Sequence, residues 1–273
     1  MQKMEQPKTY CYEYPRAAIT TDCVIFGYDG QNLKALLIQR GNDPYKGHWA
    51  FPGGFLNMNE TLEEGARREL MEETSFCPDV LEQFHAFSKV DRDPRERVIT
   101  VAFYALVKPG EVKSGDDASD AQWFNTHEMP PLAFDHDEIF TLALKHLRER
   151  IYFEPIGFNL LGETFTLPQL QRIYETILDT TFDRRNFQRK MLMNDLLIPA
   201  EEPMMTQRCI TELFDACTTV QEAPEDVTLC CAAPPKPARA TEKHEVGRKP
   251  KWFRFNFEKY WQLKKDNDNK VEF

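Results

Sequence analysis

Three glutamates, Glu69, Glu72 and Glu73, stand close together in the stretch GGFLNMNETLEEGARRELMEETSF that runs from Gly53 to Phe76. On a helix, residues three and four apart share a face, so the three carboxylates project from neighbouring turns. Like charges at that spacing repel. A set of oxygen ligands only is what Mg2+ or Mn2+ takes, and a bound cation removes the repulsion. The helix has its own start signal, because Thr61 and Glu64 form an S/T-x-x-E capping box. Leu62, Ala66 and Leu70 recur every four residues and supply a buried stripe. Arg68 can reach back to Glu60 and pin the preceding loop to the helix. Gly53 and Gly54 lack a Cβ, so the backbone there can approach an ion, and a backbone carbonyl can serve as a further ligand. On composition alone an acid-rich helix face is simply solvated.

The spacing separates these readings. Gly54, Glu60, Arg68, Glu69, Leu70, Glu72, Glu73 and Phe76 meet the pattern G-x5-E-x7-R-E-U-x-E-E-x-G-U, where U is a bulky apolar residue. One position departs: Ser75 stands where the pattern has its second glycine. The segment resembles the Nudix box. That resemblance implies an α/β/α sandwich around a curved sheet. It also implies cleavage of the diphosphate in nucleoside diphosphates linked to another moiety, with Mg2+ (or Mn2+) as cofactor. Carried over by position, Glu69, Glu72 and Glu73 are metal ligands, joined by Gly53, while Glu60 and Arg68 form the loop–helix clamp of the catalytic set. The base often lies outside the box in this superfamily, and Asp116, Asp117, Asp120 and the box acids stay as alternatives. A glycine at a helix C-terminus takes φ > 0 freely, and Ser75 there costs ~1 kcal/mol without removing a ligand.

Two flanking segments bear on the substrate. Arg40 ends an apolar run and precedes GNDPYKGHWAFPGGF, where the cation can meet phosphate, Trp49 or Phe51 can meet a base, and Gly54 lets a ligand approach. The stretch Val90 to Leu106 resembles a segment of Nudix proteins that act on or bind ADP-ribose. Within it Asp91, Arg92, Asp93, Arg95 and Arg97 make a mixed-charge loop suited to ribose and phosphate contacts.

The elements that must hold these residues are readable in outline. Ala18 to Tyr28 and Leu33 to Gln39 are β-rich runs about an Asp29-Gly30 turn, a hairpin signal. VITVAFYALV, from Val98 to Val107, is nearly continuous in apolar character, as a strand covered on both faces would be. Ala121 to Phe124 is expected to be a short strand, and Asp135 to Ile151 a helix capped by Asp135.

A second unit is expected past Pro155. Thr166 to Leu178 reads as a helix with Thr166 as N-cap, and Arg184 to Leu197 as another. The pair, joined by a tight turn, reads as a helix-turn-helix. WFRFNF, from Trp252 to Phe257, alternates as a strand does. This half resembles the winged-helix domain fused to Nudix domains in the Nudix-related transcriptional regulators. Arg184, Arg185, Arg189 and Lys190 then face phosphates or a major groove, Asn186 or Gln188 reads a base edge, and Arg248, Lys249 and Lys251 belong to a basic wing.

The fold class expected is α+β: a Nudix sandwich followed by a winged helix. The divisions are an N-terminal extension 1–14, a Nudix domain 15–153, a winged-helix domain 154–265 with a disordered insertion 200–247, and a tail 266–273. A short helix is expected near 211–216.

Charge supports two jobs. Up to Arg150 there are 17 Lys+Arg against 25 Asp+Glu, whereas Arg248 to Lys265 holds seven basic residues against Glu258 alone. The whole chain of 273 residues carries a net charge of −10, so it lacks a general nucleic-acid footprint and any DNA face must be local. No apolar run approaches a membrane span, no secretory leader is visible, and the seven cysteines have no framework spacing, which points to a reducing cytoplasm. The reading is a ligand-responsive transcription regulator that binds and hydrolyses ADP-ribose or a related nucleotide sugar. Double-stranded DNA is the partner, and a homodimer matches a two-fold operator. The alternatives are a plain Nudix hydrolase and a catalytically silent sensor.

Overall fold

A computed structural model describes residues 12–114, 118–193, 195–201 and 250–266. The first unit is built on β1 (Ala18–Tyr28), β2 (Leu33–Arg40), β3 (Trp49–Ala50), β4 (Gly53–Phe55), β5 (Glu82–Phe87), β6 (Val98–Val107) and β7 (Ala118–Asn125). These strands form one sheet in the order β3-β2-β1-β6-β5, with β4 added to β1 and β7 to β2. The hairpin forms at Asp29-Gly30, where Gly30 takes φ 99° and Asp29 Oδ1 accepts from the Gln31 and Asn32 amides.

Parallel pairing of β1 with β6, from Ala18 opposite Val98 to Gly27 opposite Val107, makes the centre of the sheet. Alternation along β1 sends Cys23 and Ile25 to one face and Val24 and Phe26 to the other, and each pair joins a different core cluster. Helix α1 (Leu62–Thr74) covers the first face with Ala66 and Leu70. Helix α2 (His136–Arg150) covers the second with Ile139, Ala143 and Leu147. This is the expected sandwich.

Both halves of the α1 capping box are present, and Ser75 sits at the C-cap at φ 53°. The backbone thus keeps the left-handed turn that the missing glycine would have taken.

The second unit follows a 3-10 turn at Ile156–Leu160. Helix α3 (Leu167–Leu178) and helix α4 (Arg184–Leu192) pack beside a sheet of β8 (Phe165–Thr166), β9 (Leu197–Ala200) and β10 (Trp252–Phe255), in the order β8-β10-β9. This is the winged-helix order of elements. The core does not stop between the units. One cluster runs from Phe26 through Leu147 and Ile151 to Leu170, Ile177, Phe253 and Tyr260.

Several expectations change. Helix α4 ends at Leu192, not Leu197, because Leu197 to Ala200 pair antiparallel with β10. Asp195 at φ 53° turns the chain between them. The final strand ends at Phe255, and an unexpected helix α5 (Phe257–Asp266) follows, with the Lys259 amide donating to Asn256 Oδ1. Strand β5 was also not anticipated, because it is an edge strand with a single buried position, Phe87. Asp135 precedes α2 but makes no capping hydrogen bond.

Of the expected extension 1–14, insertion 200–247 and tail 266–273, only residues 12–14, 200, 201 and 266 are described, and the helix expected at 211–216 lies outside the described residues. Among the described residues Cys23 and Cys77 are free, and no helix is long and apolar enough to cross a membrane.

Candidate active site and nucleic-acid interface

On α1 the clamp is formed. Arg68 grips Glu60 with two bonds, Nε to Oε2 at 3.0 Å and Nη2 to Oε1 at 2.7 Å, and also donates to the Phe55 carbonyl at 3.1 Å. That fork holds the Glu60 carboxyl down at about 2. The remaining nitrogen of Arg68 reaches Glu69 Oε1 at 2.7 Å and Glu72 Oε2 at 3.0 Å.

The three acids then divide. Glu69 and Glu73, one turn apart, line a cleft of about 300 Å³. Glu72, 58% exposed, turns outward onto Arg68 and is not part of the cleft wall. Among the described residues no group of three or more His, Cys, Asp or Glu is drawn together as a metal-ion site. The expected three-carboxylate set is therefore two acids in the cleft and one beside it.

Glu73 is 9% exposed and accepts a hydrogen bond from the Gly53 amide at 2.8 Å. Burial pushes its carboxyl up to about 8, against the pull of the Gly53 bond and with help from the charges of Glu69 and Asp22. Burial likewise raises Glu69, which Arg68 draws back down. Both glycines are needed where they stand: a Cβ on Gly53 would meet the Thr21 carbonyl oxygen at 2.0 Å, and one on Gly54 would meet the Glu69 carboxyl carbon at 2.5 Å.

Because Glu73 keeps its proton to about pH 8 in the fold and to about 4.5 otherwise, the folded chain binds more protons across that interval. Its contribution to stability is full below the lower value and is lost as pH rises through the upper one. Without divalent cation, the melting temperature of the wild type is expected to fall more steeply between pH 6 and pH 9 than that of Glu73→Gln. Parallel curves would contradict the burial argument.

The cations gather in the same cleft. Arg40 donates from Nε to the Pro44 carbonyl at 2.9 Å and lies 4.8 Å over the Phe134 ring. Arg95 grips Asp93 through Nε at 3.0 Å and Nη2 at 2.7 Å, and lies 5.0 Å over Phe55. Arg92 also lines the cleft but is only 4% exposed, held by Asp135 at 3.0 and 2.7 Å and by Asp22 at 3.4 Å. It is a buried support with little surface left for a ligand. Arg97, also expected at the ligand, donates to the Lys89 carbonyl at 2.9 Å and is not among the residues of the cleft wall.

Phe51 lines the cleft, whereas Trp49 packs on Phe124 in the core. Asp120 is tied to the Ala121 amide and Gln122 and does not reach the cleft, and Asp116 and Asp117 lie outside the described residues.

Asp22, Phe134 and His136 are cleft residues that went unread in the sequence, and Asp93 was read only as part of its mixed-charge loop. His136 is fully buried and its Nδ1 accepts from the Phe51 amide at 2.9 Å. Burial lowers its pKa, so the ring is neutral and its one proton sits on Nε2, 3.6 Å from Asp22 Oδ1. The sequence signal for Asp22 was a lone acid inside the apolar run ITTDCVIF.

In the second unit, α4 exposes Arg184, Arg185, Asn186, Arg189 and Lys190 while burying Phe187 and Met191. Asp183 caps the helix by accepting from the Asn186 amide at 2.9 Å. Lys251 is exposed and shares a groove with Arg184 and Gln188, so wing and helix cations lie along one surface. Arg248 and Lys249 lie outside the described residues.

The NUDIX domain model matches residues 16–143, and the model of the NrtR DNA-binding winged helix domain matches residues 157–208. A relative from Acinetobacter baylyi, the ADPR responsive transcriptional repressor NtrR, is 30% identical over 207 residues, which is 74% of this chain and 83% of its own. The chain belongs to the NrtR family. The NrtR winged-helix match starts just after α2, so that helix joins the two matched parts. The ADP-ribose pyrophosphatase of Methanocaldococcus jannaschii is 41% identical over 139 residues, 51% of this chain and 79% of its own. A crystal structure of Shewanella oneidensis NrtR complexed with a 27mer DNA superimposes with a TM-score of 0.58 at 26% identity, covering 89% of this chain and 95% of that one.

Proposed function

We propose that this NrtR-family chain is a transcriptional repressor that responds to ADP-ribose and hydrolyses it in the Nudix cleft. It acts on double-stranded DNA, as a homodimer, in the cytoplasm. The observation that carries the reading is one cleft that brings Arg40 and Arg95 together with Glu69, Glu73 and the Gly53-Gly54 turn. It sits on a chain whose second unit exposes an Arg-bearing helix.

A divalent cation fits the residues present. Glu73 is a deeply buried acid beside Glu69 and Asp22, and burial pushes its carboxyl to about 8 despite the pull of Arg40, so its charge is only partly offset in the fold. The donors are oxygens only, as Mg2+ or Mn2+ prefers. Glu69, Glu73 and the Gly53 carbonyl would hold the ion, with Glu72 available if Arg68 releases it. When bound, the ion neutralises diphosphate charge and activates water. Arg40 and Arg95 bind and orient the diphosphate by charge-assisted hydrogen bonds. Arg92, Asp135 and Asp22 form the cleft floor, and the Arg68–Glu60 fork holds the glycine turn against α1. Water adds to one phosphorus, the bridging P–O bond breaks, and AMP and ribose 5-phosphate leave.

The glycine turn offers a direct check. In Gly54→Ala the new methyl displaces the Glu69 carboxyl, which is flexible, so the fold survives while the acid pair shifts. Turnover of ADP-ribose is expected to fall roughly 100-fold with the melting temperature little changed. Wild-type turnover in that variant would remove the turn from the catalytic geometry.

One observation favours a second reading, a silent sensor: Arg68 occupies both Glu69 and Glu72. A thermal-shift panel of nucleotide sugars with and without Mg2+, with AMP release followed on the same samples, separates the two. Stabilisation by ADP-ribose with no AMP released supports the sensor, and stabilisation with AMP released only when Mg2+ is present supports the hydrolase. No stabilisation by ADP-ribose in either condition would overturn both.

A further inference from the structure

Helix α2 touches the cleft at one end and the winged helix at the other. At its start Asp135 occupies the N-cap position yet caps nothing, because both carboxylate oxygens accept from Arg92 in the cleft wall. His136, the first residue of the helix, lines the same cleft. At its end Arg148 Nε donates to the Ile177 carbonyl at 2.9 Å, in the last turn of α3, and Nη2 stands 4.0 Å from Asp179. Asp179 is the C-cap of α3 at φ 53° and also faces His127 at 3.7 Å.

That end of α3 governs the direction of α4. Glu175 Oε1 accepts from the Phe182 amide at 2.8 Å, Gln171 Nε2 donates to the Phe182 carbonyl at 2.9 Å, and Asp183 then caps α4. A shift of the last turn of α3 therefore moves the turn and the Arg-bearing helix with it. Between its ends α2 is one unbroken helix roughly 22 Å long, with Ile139, Ala143 and Leu147 fully buried. It cannot yield locally without opening the core.

We infer that α2 is the lever that couples cleft occupancy to the DNA-facing helix, with Asp135–Arg92 as its input and Arg148 on the Ile177 carbonyl and Asp179 as its output. This rests on the ADP-ribose-responsive reading. A ligand diphosphate drawn to the cleft competes electrostatically with Asp135 and Asp22 for Arg92. Asp135 is then free to cap α2, and the helix end moves. Arg148 is a positioning residue: it lies on α2, outside the cleft wall and off the Arg-bearing helix.

The test is a coupling measurement on the full chain, using ADP-ribose and a duplex that the protein itself selects from a random pool, with EDTA present so the ligand is not consumed. DNA affinity is measured with and without ADP-ribose, and ADP-ribose affinity with and without DNA. In the wild type the two ratios must agree, because coupling is reciprocal, and a factor of roughly 5–150 is expected. In Arg148→Gln both ratios are expected to fall together towards 1, while each separate affinity stays within a few-fold. Lys145→Gln removes the same charge from an exposed site on α2 that pairs with Glu149 of the same helix, and is expected to keep the wild-type ratios. Asp179→Asn tests the same contact from the other side and covers the case of an unstable Arg148 variant. Full ratios in both Arg148→Gln and Asp179→Asn would overturn the lever, and so would equal losses in Arg148→Gln and Lys145→Gln. A wild type with no ratio at all would overturn the ligand-responsive reading, and the lever with it.

Discussion

Glu73→Gln is expected to lower the hydrolysis of ADP-ribose by on the order of 10³-fold, measured as AMP release in saturating Mg2+. The size follows from position. Glu73 is the most deeply buried of the three box acids, and its carboxylate is fixed by the Gly53 amide at 2.8 Å. Glutamine is nearly isosteric and can still accept that bond, so the glycine turn is kept while the group that can ionise to hold the cation is lost. Glu72→Gln makes the contrast, because Glu72 is exposed and turned onto Arg68. Its loss is expected to cost at most a few-fold if the observed arrangement persists in the loaded enzyme. A collapse of turnover in Glu72→Gln would show that Arg68 lets go on metal binding and that the third box acid joins the set. Unchanged turnover in Glu73→Gln would take Glu73 out of the chemistry altogether.

Arg185→Ala combined with Arg189→Ala is expected to weaken DNA binding by roughly 100-fold at low salt and to reduce the slope of log affinity against log salt by about 2. Both side chains are exposed on α4, away from the helix face that buries Phe187 and Met191, so folding should be unaffected. The net charge of −10 makes the effect of each local cation larger, because the rest of the chain repels the duplex. Hydrolysis in the same variant should match the wild type. Undiminished DNA affinity would turn the winged helix into a protein-binding module. A loss of affinity with no change in salt slope would mean that the arginines contact bases and not phosphates.

What the sequence yields depends on how local each feature is. The α1 segment was readable almost residue by residue, since a capping box, a four-residue apolar repeat and the Arg68–Glu60 spacing all act within two turns of the helix. The hairpin at Asp29-Gly30 and the doubly covered strand Val98–Val107 were likewise encoded by short patterns. The cleft was not. Asp22 comes from β1, Arg92 and Asp93 from the loop before β6, and Phe134 and His136 from the start of α2, and only the fold brings them together. The outward turn of Glu72 had the same character. Helical spacing placed it with Glu69 and Glu73, but the choice of Arg68 as its partner needed the three-dimensional position of the guanidinium. Helix α4 was drawn too long because the apolar run Leu196-Leu197-Ile198 continues a helical period as well as it begins a strand, and only pairing with β10 decides between them. Helix α5 was hidden behind the aromatic alternation of WFRFNF, which favours β structure up to the residue where Asn256 starts the helix.

The decisive property is that the cleft answers to ADP-ribose and passes that answer to the winged helix. Fluorescence anisotropy of a labelled duplex bound by the full-length protein, titrated with ADP-ribose in EDTA, reads this in one experiment. A saturable change in DNA affinity of at least about 5-fold is expected, retained in Glu72→Gln and lost in Arg148→Gln. A duplex that stays bound with unaltered affinity while ADP-ribose saturates the protein would contradict it.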